Sequence, residues 1–391
     1  MPLHHSKMCE RENYADEVDR LPSKDRATYC DIFGFIISII SHIVDIGLDC
    51  NLAYTYYRSN QMPYFFATVG FIAVPALINT AFSVRMYVLD QSNSANNLTT
   101  KFTKRSICWL LVLVFQLAPV LRYFDALFYA LKSKEAEKKN DTQNQRRYYE
   151  LMVKEDSDVA LLRVLECFLE AAPQQILQLT IIFYTHGQGI NTLTFVHQVL
   201  SIGSSFGSMG WSMASYQRLL RVSLKDKGNI SILGTIMQFV WHFLVTVSRI
   251  LCISVIASIL PEITILCLFL HWLIMTIWLH LLTTERNFCD SKLGESIFYA
   301  IFGFVYIFTH ISLNQGRTLY RYVFFYTILF IENTIATFVW YTKADLEVQQ
   351  SLYYKPIFYL TIFPFLLGLV FMVLYYKCFH PNIGYICTHK Y

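Results

Sequence analysis

Charge is scarce in this chain. Only 15% of its 391 residues are Asp, Glu, Lys or Arg, against about 25% in a soluble domain, while 54% are hydrophobic. That excludes the two or three ordinary soluble domains that length alone would suggest. The net charge of +4 is small and scattered, with short basic tracts such as Arg146-Arg147 between apolar runs, so no nucleic-acid partner is expected. Ten cysteines occur without a C-x-x-C or a paired His cluster, which argues against a metal site and against a disulfide scaffold. Cys50, Cys108, Cys167, Cys252 and Cys267 lie in apolar runs and read as small hydrophobes. There is no G-x-x-x-x-G-K-[ST], hence no ATP engine and no cofactor to expect, and no H-E-x-x-H. His42, His242 and His271 read as satisfied interior groups. A signal peptide is not expected either. The first 27 residues are polar, and the first apolar run is too extended to be one.

What is present is a series of apolar runs, with aromatics common enough to suit membrane interfaces. A spanning helix needs about 20 mostly apolar residues. Ten segments qualify: 30–56, 63–89, 105–131, 158–184, 192–218, 230–259, 262–283, 295–313, 320–341 and 356–378. The third is basic on both flanks, with Lys101, Lys104 and Arg105 before it and Lys132, Lys134, Lys138 and Lys139 after it. Positive flanks favour the cytoplasm, so the segment is expected to dip in and return, bending near Pro119. The eighth segment, short and containing Gly303, is expected to match it. Pro119 and Pro173 are the prolines assigned to hairpin bends. The expected fold is an all-α polytopic membrane protein of about eight transmembrane helices plus two re-entrant helical hairpins in two structural repeats. Its parts are a cytoplasmic tail (1–27), a first repeat (28–220), a second repeat (221–379) and a short cytoplasmic tail (380–391). On this topology the sequons at Asn97, Asn140 and Asn229 face the cytoplasm and stay unglycosylated.

Ionisable groups at membrane depth cost about 2.5–3.5 kcal/mol each on insertion scales and face protein or water. Asp45 and Asp49 lie four apart in the first segment, and Glu166 and Glu170 repeat that spacing in the fourth, three residues after Arg163. Arg122 and Asp125 follow Pro119, Arg249 lies deep in the sixth segment, and Glu332 in the ninth. Each could be a structural ion pair, with Arg249 or Arg122 the expected partner of Glu166 or Glu170. As a set they suggest a route for something polar, since buried ion pairs rarely improve on apolar packing. Two catalytic patterns are set aside. The run Gly203 to Gly207 matches G-x-S-x-G, but that elbow needs a strand-turn-helix; in a small-residue membrane segment it reads as G-x-x-x-G helix packing. The stretch VDIGLD lacks the second Gly of the intramembrane aspartyl protease pattern.

Three stretches carry a resemblance: HIVDIGLDCNLAYTYY, ECFLEAAPQQILQL and IENTIATFVWY. Together they resemble the XK-related family over about residues 30–380. The resemblance implies two helical repeats with re-entrant hairpins. Some members are phospholipid scramblases switched on by caspase cleavage in apoptosis; others show no such activity. The polar leader then gains a meaning. Asp16-Glu17-Val18-Asp19 spells DEVD, an executioner caspase sequence, cut before Arg20. Four specified residues would recur by chance roughly once in 10⁵ positions. A polar terminus is also where proteases gain access. The C-terminal CFHPNIGYICTHKY holds no Asp, so the only candidate switch is N-terminal. The expected function is energy-independent transport without covalent chemistry, exposing phosphatidylserine at the plasma membrane, with phospholipids and an executioner caspase as partners. A second copy or a single-span partner subunit stays open. So does the alternative of a non-scrambling transporter, channel or membrane adaptor.

Overall fold

The computed structural model describes residues 26–91, 112, 116–185, 192–223, 229–282, 291–312, 319–351 and 353–381. Among these the chain is helical with no strand: α1 Tyr29–Arg58, α2 Met62–Gln91, α3 Ala118–Lys138, α4 Thr142–Glu166, α5 Ala172–Tyr184, α6 Thr192–Ser223, α7 Ile232–Ile259, α8 Pro261–Leu282, α9 Lys292–Val305, α10 Leu319–Lys343, α11 Leu346–Gln350 and α12 Tyr354–Leu374. A π-helical turn, Cys167–Ala171, joins α4 to α5, and a second, Tyr375–Phe379, extends α12. Six of the described helices are long and apolar enough to cross a bilayer: Tyr29–Arg58, Met62–Leu89, Ile232–Ile259, Pro261–Leu282, Leu319–Lys343 and Tyr354–Phe379. The chain is an all-α, multi-pass membrane protein.

The ends of these helices follow from local chemistry. Thr28 and Asp31 form a capping box at the start of α1: Thr28 N and Oγ1 donate to Asp31 Oδ2 at 2.7 and 2.8 Å, and Asp31 N donates back to Thr28 Oγ1. Ser231 and Ser291 cap α7 and α9 by accepting from Gly234 N and Gly294 N. Three turns use one stop signal. Asn60, Gln116 and Asn140 have φ near +55°, and the next residue bonds back five positions: Gln61 to Tyr56 O, Leu117 to Val112 O and Asp141 to Ala136 O. This is the Schellman closure, made with Asn or Gln where Gly is commoner.

The chain divides into two compact units. The first holds residues 1–52, 76–162 and 222–225; the second holds 53–75, 163–221 and 226–391. In the first unit, Phe35 and Ile39 of α1 pack with Val120, Tyr123, Ala126 and Ala130 of α3 and with Met152, Val153 and Val159 of α4. In the second unit α7 is the pillar, packed by α5, α8, α10 and α12. Gly368 of α12 seats against it, where an added Cβ would lie 3.2 Å from Trp241 O.

Pro119 occupies the first turn of α3, directly after the Gln116 closure. There its missing N–H is no loss. His42 Nε2 donates to Gln116 O at 3.0 Å, so α1 holds the corner. Pro173 is a correction to the sequence reading. It marks no hairpin bend, because the helix runs on from Thr142 to Tyr184 through the π turn. A proline clashes with the carbonyl four residues back, and the wider turn, with Ala172 N bonded to Cys167 O, relieves that clash.

α9 is about 21 Å long, short of the roughly 30 Å hydrocarbon core. After it, residues 306–311 leave the helix yet are all buried. Irregular backbone survives at membrane depth only inside protein or beside water. Gly303 sets how closely α9 meets α8, since an added Cβ would fall 2.2 Å from Thr276 Oγ1 and 3.1 Å from Thr276 N. Gly303→Ala is expected to destabilise by about 1–3 kcal/mol, read as a lower melting temperature in detergent. Gly303→Ala melting with the wild type would mean that the two helices part freely.

Candidate functional site

The charges singled out in the sequence fall into separate clusters, placed by different elements. In the first unit Arg122 is fully buried on α3. Its Nη1 donates to Glu155 Oε2 and to Asp158 Oδ2, both at 2.7 Å, and Nη2 donates to Ser83 O at 3.3 Å. The Tyr87 ring lies 3.9 Å from the guanidinium, a cation–π contact, and its hydroxyl donates to Asp125 at 2.8 Å. Arg122 and Asp125 therefore belong to one constellation that ties α2, α3 and α4 together.

In the second unit Arg249 of α7 is 3% exposed. Nε donates to Ile307 O at 2.9 Å, Nη1 to Asn333 Oδ1 at 2.8 Å and Nη2 to Glu332 Oε2 at 2.6 Å. His271 of α8 completes the set. Nδ1 lies 2.7 Å from Glu332 Oε1 and Nε2 lies 3.1 Å from Tyr306 O, so both ring nitrogens face acceptors. The network thus takes up two carbonyls from the non-helical stretch after α9. Its work is to hold irregular backbone in an apolar interior, where an unpaired carbonyl is costly.

The expected partner of Arg249 is corrected accordingly. It takes Glu332 and Asn333 of α10, rather than Glu166 or Glu170, because these adjacent side chains and a main-chain oxygen converge on the three faces of one guanidinium fork. Arg122 takes Glu155 and Asp158. Hydropathy starts the fourth segment at 158, whereas α4 begins at Thr142, so Glu155 was hidden in what read as a polar loop. The paired carboxylates, three apart, are the signal that could have found it.

The remaining acids differ in exposure. On α4 Arg163 and Glu166 are half-buried, and Glu170, in the π turn, is buried. Just beyond, Gln174 Nε2 and Gln175 Oε1 are buried with no hydrogen-bond partner among the described residues. Cys167 Sγ lies 3.2 Å from Ser212 Oγ of α6, and Thr180 Oγ1 donates to Ser254 O of α7. On α1 Asp45 is exposed and Asp49 half-buried. Around Asp45 the helix surface is greasy, with Ile43, Val44 and Leu48 all more than half exposed.

The small-residue stripe of α6 also needs correction. Among the described residues nothing lies within 4 Å of where a Cβ would point at Gly203 or Gly207, and the close approach comes instead at Gly210, where a Cβ would lie 3.0 Å from Phe243 Cβ of α7. The same run is mid-helix, which removes the nucleophile elbow. No group of three or more His, Cys, Asp or Glu could hold a metal ion among the described residues. The DEVD sequence, Asp16 to Asp19 with Arg20 after it, lies outside the described residues.

Comparison with known proteins fits this architecture. The chain is 27% identical over 383 residues to Cell death abnormality protein 8 of Caenorhabditis briggsae, covering 93% of this chain and 81% of that one. It is 26% identical over 364 residues to XK-related protein 8 of Gasterosteus aculeatus, covering 91% and 85%. The XK-related protein family matches residues 33–381, which leaves only the two ends outside, and the chain belongs to that family.

Proposed function

We propose that the chain is an energy-independent phospholipid scramblase of the plasma membrane, exposing phosphatidylserine in dying cells after an executioner caspase cuts behind Asp19. The observation that carries this reading is Asp45, an exposed carboxyl on a spanning helix among exposed Ile43, Val44 and Leu48. A charge at membrane depth costs a few kcal/mol unless a protein partner, water or a polar headgroup meets it, and an exposed one can be reached from outside the protein. A scramblase needs such a place, because the barrier to lipid exchange is the headgroup's passage through about 30 Å of hydrocarbon. Headgroups step along polar side chains while acyl tails stay in the bilayer. Lipid runs down its own gradient, so no energy source enters.

Asp45, Asp49, Glu166 and Glu170 are the stepping groups in this reading, and Arg122 and Arg249 hold the frame. Cell death enters through the name of the relative from Caenorhabditis briggsae and through DEVD. Both termini lie in the cytoplasm, where the caspase works. The two buried arginine networks would suit a non-scrambling transporter or adaptor equally well, since each has a structural use. Purified protein in vesicles carrying dye-labelled lipid separates the readings. Caspase-treated protein is expected to mix the leaflets and untreated protein is not. Glu170→Gln is expected to slow mixing several-fold while surface expression persists. Unmixed leaflets with cut, folded protein would remove the scramblase reading.

A further inference from the structure

The rod formed by α4, the π turn and α5 carries a polar series of its own. In the otherwise apolar stretch ECFLEAAPQQILQLT, Glu166, Glu170, Gln174 and Gln178 recur at every fourth residue. All four lie in one unit of the chain. An unbroken α-helix turns about 100° per residue, so Gln178 would sit about 120° round from Glu166. The π turn at Cys167–Ala171, closed by Ala172 N on Cys167 O, lodges one surplus residue and absorbs one step of that rotation. Glu166 and Gln178 then fall within about 20° of each other. The four side chains share one face over about 16 Å, roughly half the hydrocarbon core. The widened turn therefore relieves Pro173 and straightens a polar stripe at the same time.

Burial is deepest in the middle of the stripe. Glu170 and Gln174 are 6% and 5% exposed, while Glu166 and Gln178 are half-buried. Gln174 Nε2 is a buried donor with no hydrogen-bond partner among the described residues. An unmet amide in an apolar interior is costly, so its presence in a fold calls for a reason. Gln175 is the contrast. It is as deeply buried, and its Oε1 also lacks a partner among the described residues. It lies about 100° away, however, on the row of Phe168, Ala172, Leu179 and Phe183, all of them buried. Gln175 thus shares the chemistry of Gln174 but not its face.

Resting on the scramblase reading above, we propose that Gln174 and Gln178 bind phospholipid headgroups and, with Glu166 and Glu170, form one polar rail that the π turn aligns. A carboxylate only accepts hydrogen bonds, so Glu166 and Glu170 suit the ammonium end of a headgroup and repel its phosphate. An amide N–H donates, and a phosphate oxygen accepts it. Side chains four apart on a helix lie about 5–6 Å from each other, so an acid followed by an amide can hold both ends of one zwitterionic headgroup. Neutral amides also hold a charge loosely. A transit site must be left as readily as it is entered, and several weak sites in a row serve that better than one strong site. Gln174 is enclosed in this structure, so its amide is met only when the rail opens to lipid, and until then it weakens the closed state.

The test uses full-length, caspase-cut protein in phosphatidylcholine vesicles with a minority of phosphatidylserine and trace dye-labelled lipid. Gln174→Leu and Gln178→Leu are each expected to slow leaflet mixing roughly tenfold, the loss of one charge-assisted hydrogen bond at a step. Gln175→Leu is expected to mix at the wild-type rate. Gln174→Leu is also expected to melt above the wild type, because an apolar side chain replaces an unmet amide. A glutamine with a purely structural role would shift melting the other way. A second readout does not depend on transport. In single variants Gln174→Cys, Gln178→Cys and Gln175→Cys, a charged thiol reagent is expected to modify positions 174 and 178 roughly tenfold faster than position 175, read by mass at that residue. Wild-type mixing in both rail Leu variants would overturn the rail, as would equal thiol reactivity at the three positions or Gln174→Leu melting below the wild type. If positions 174 and 178 react selectively while cut wild type leaves the leaflets unmixed, the aligned polar face stands and the scramblase reading falls.

Discussion

Arg249→Met is expected to leave little folded protein. The substitution removes the cation that meets Glu332, the amide oxygen of Asn333 and the carbonyl of Ile307. The Asn333 oxygen and the Ile307 carbonyl then remain in an apolar interior beside half-exposed Glu332, and breaking one side of a buried pair costs up to about 3–5 kcal/mol. That is a large part of the 5–15 kcal/mol that holds an ordinary domain together. The measurement is monodispersity and melting of detergent-purified protein. Glu332→Gln is the informative companion. It keeps one acceptor oxygen for Arg249 and turns an amide NH2 toward His271 Nδ1, which can accept it in the tautomer whose Nε2–H donates to Tyr306 O, and it is expected to fold with a milder loss. Arg249→Met melting with the wild type would show that the network is dispensable and that residues 306–311 hold themselves.

Asp19→Ala is expected to abolish phosphatidylserine exposure in dying cells while surface expression stays normal. Caspases require Asp at the cut position, and a pocket built to pair a polar group rejects an analogue lacking it by on the order of 10⁴ or more. The effect should therefore be close to all-or-none. Staining intact dying cells with a phosphatidylserine-binding probe, with an immunoblot for the shortened chain, reads both halves of the claim. Normal exposure in cells holding only uncut Asp19→Ala protein would reject the switch.

Long apolar runs were legible to within a few residues. The segments 230–259 and 262–283 correspond to Ile232–Ile259 and Pro261–Leu282, and 356–378 to the helix Tyr354–Phe379. In those helices apolar burial and backbone satisfaction dictate the same answer. The polar half of the rod that begins at Thr142 was not legible, because hydropathy is blind to a charged helix that packs through Met152, Val153 and Val159. The π turn was not legible either, since nothing in composition announces a widened turn; only Pro173 hinted at a disturbance, and its meaning was misjudged. The charges themselves were found at Arg122, Arg249 and Glu332. The partners were harder. Glu155 lay outside the hydropathy window, and Ile307 contributes a main-chain oxygen that no side-chain pattern encodes.

The π turn between Cys167 and Ala171 also bears on how this chain could change length. An α-helix allots one residue to every 100° of rotation, so dropping a residue elsewhere in the rod would swing everything downstream by that angle. The widened turn lodges one surplus residue without that penalty. Shortening the chain by one between Cys167 and Ala171 should leave Arg163 and Gln174 in phase with each other, at the expense of the seat that Glu170 occupies.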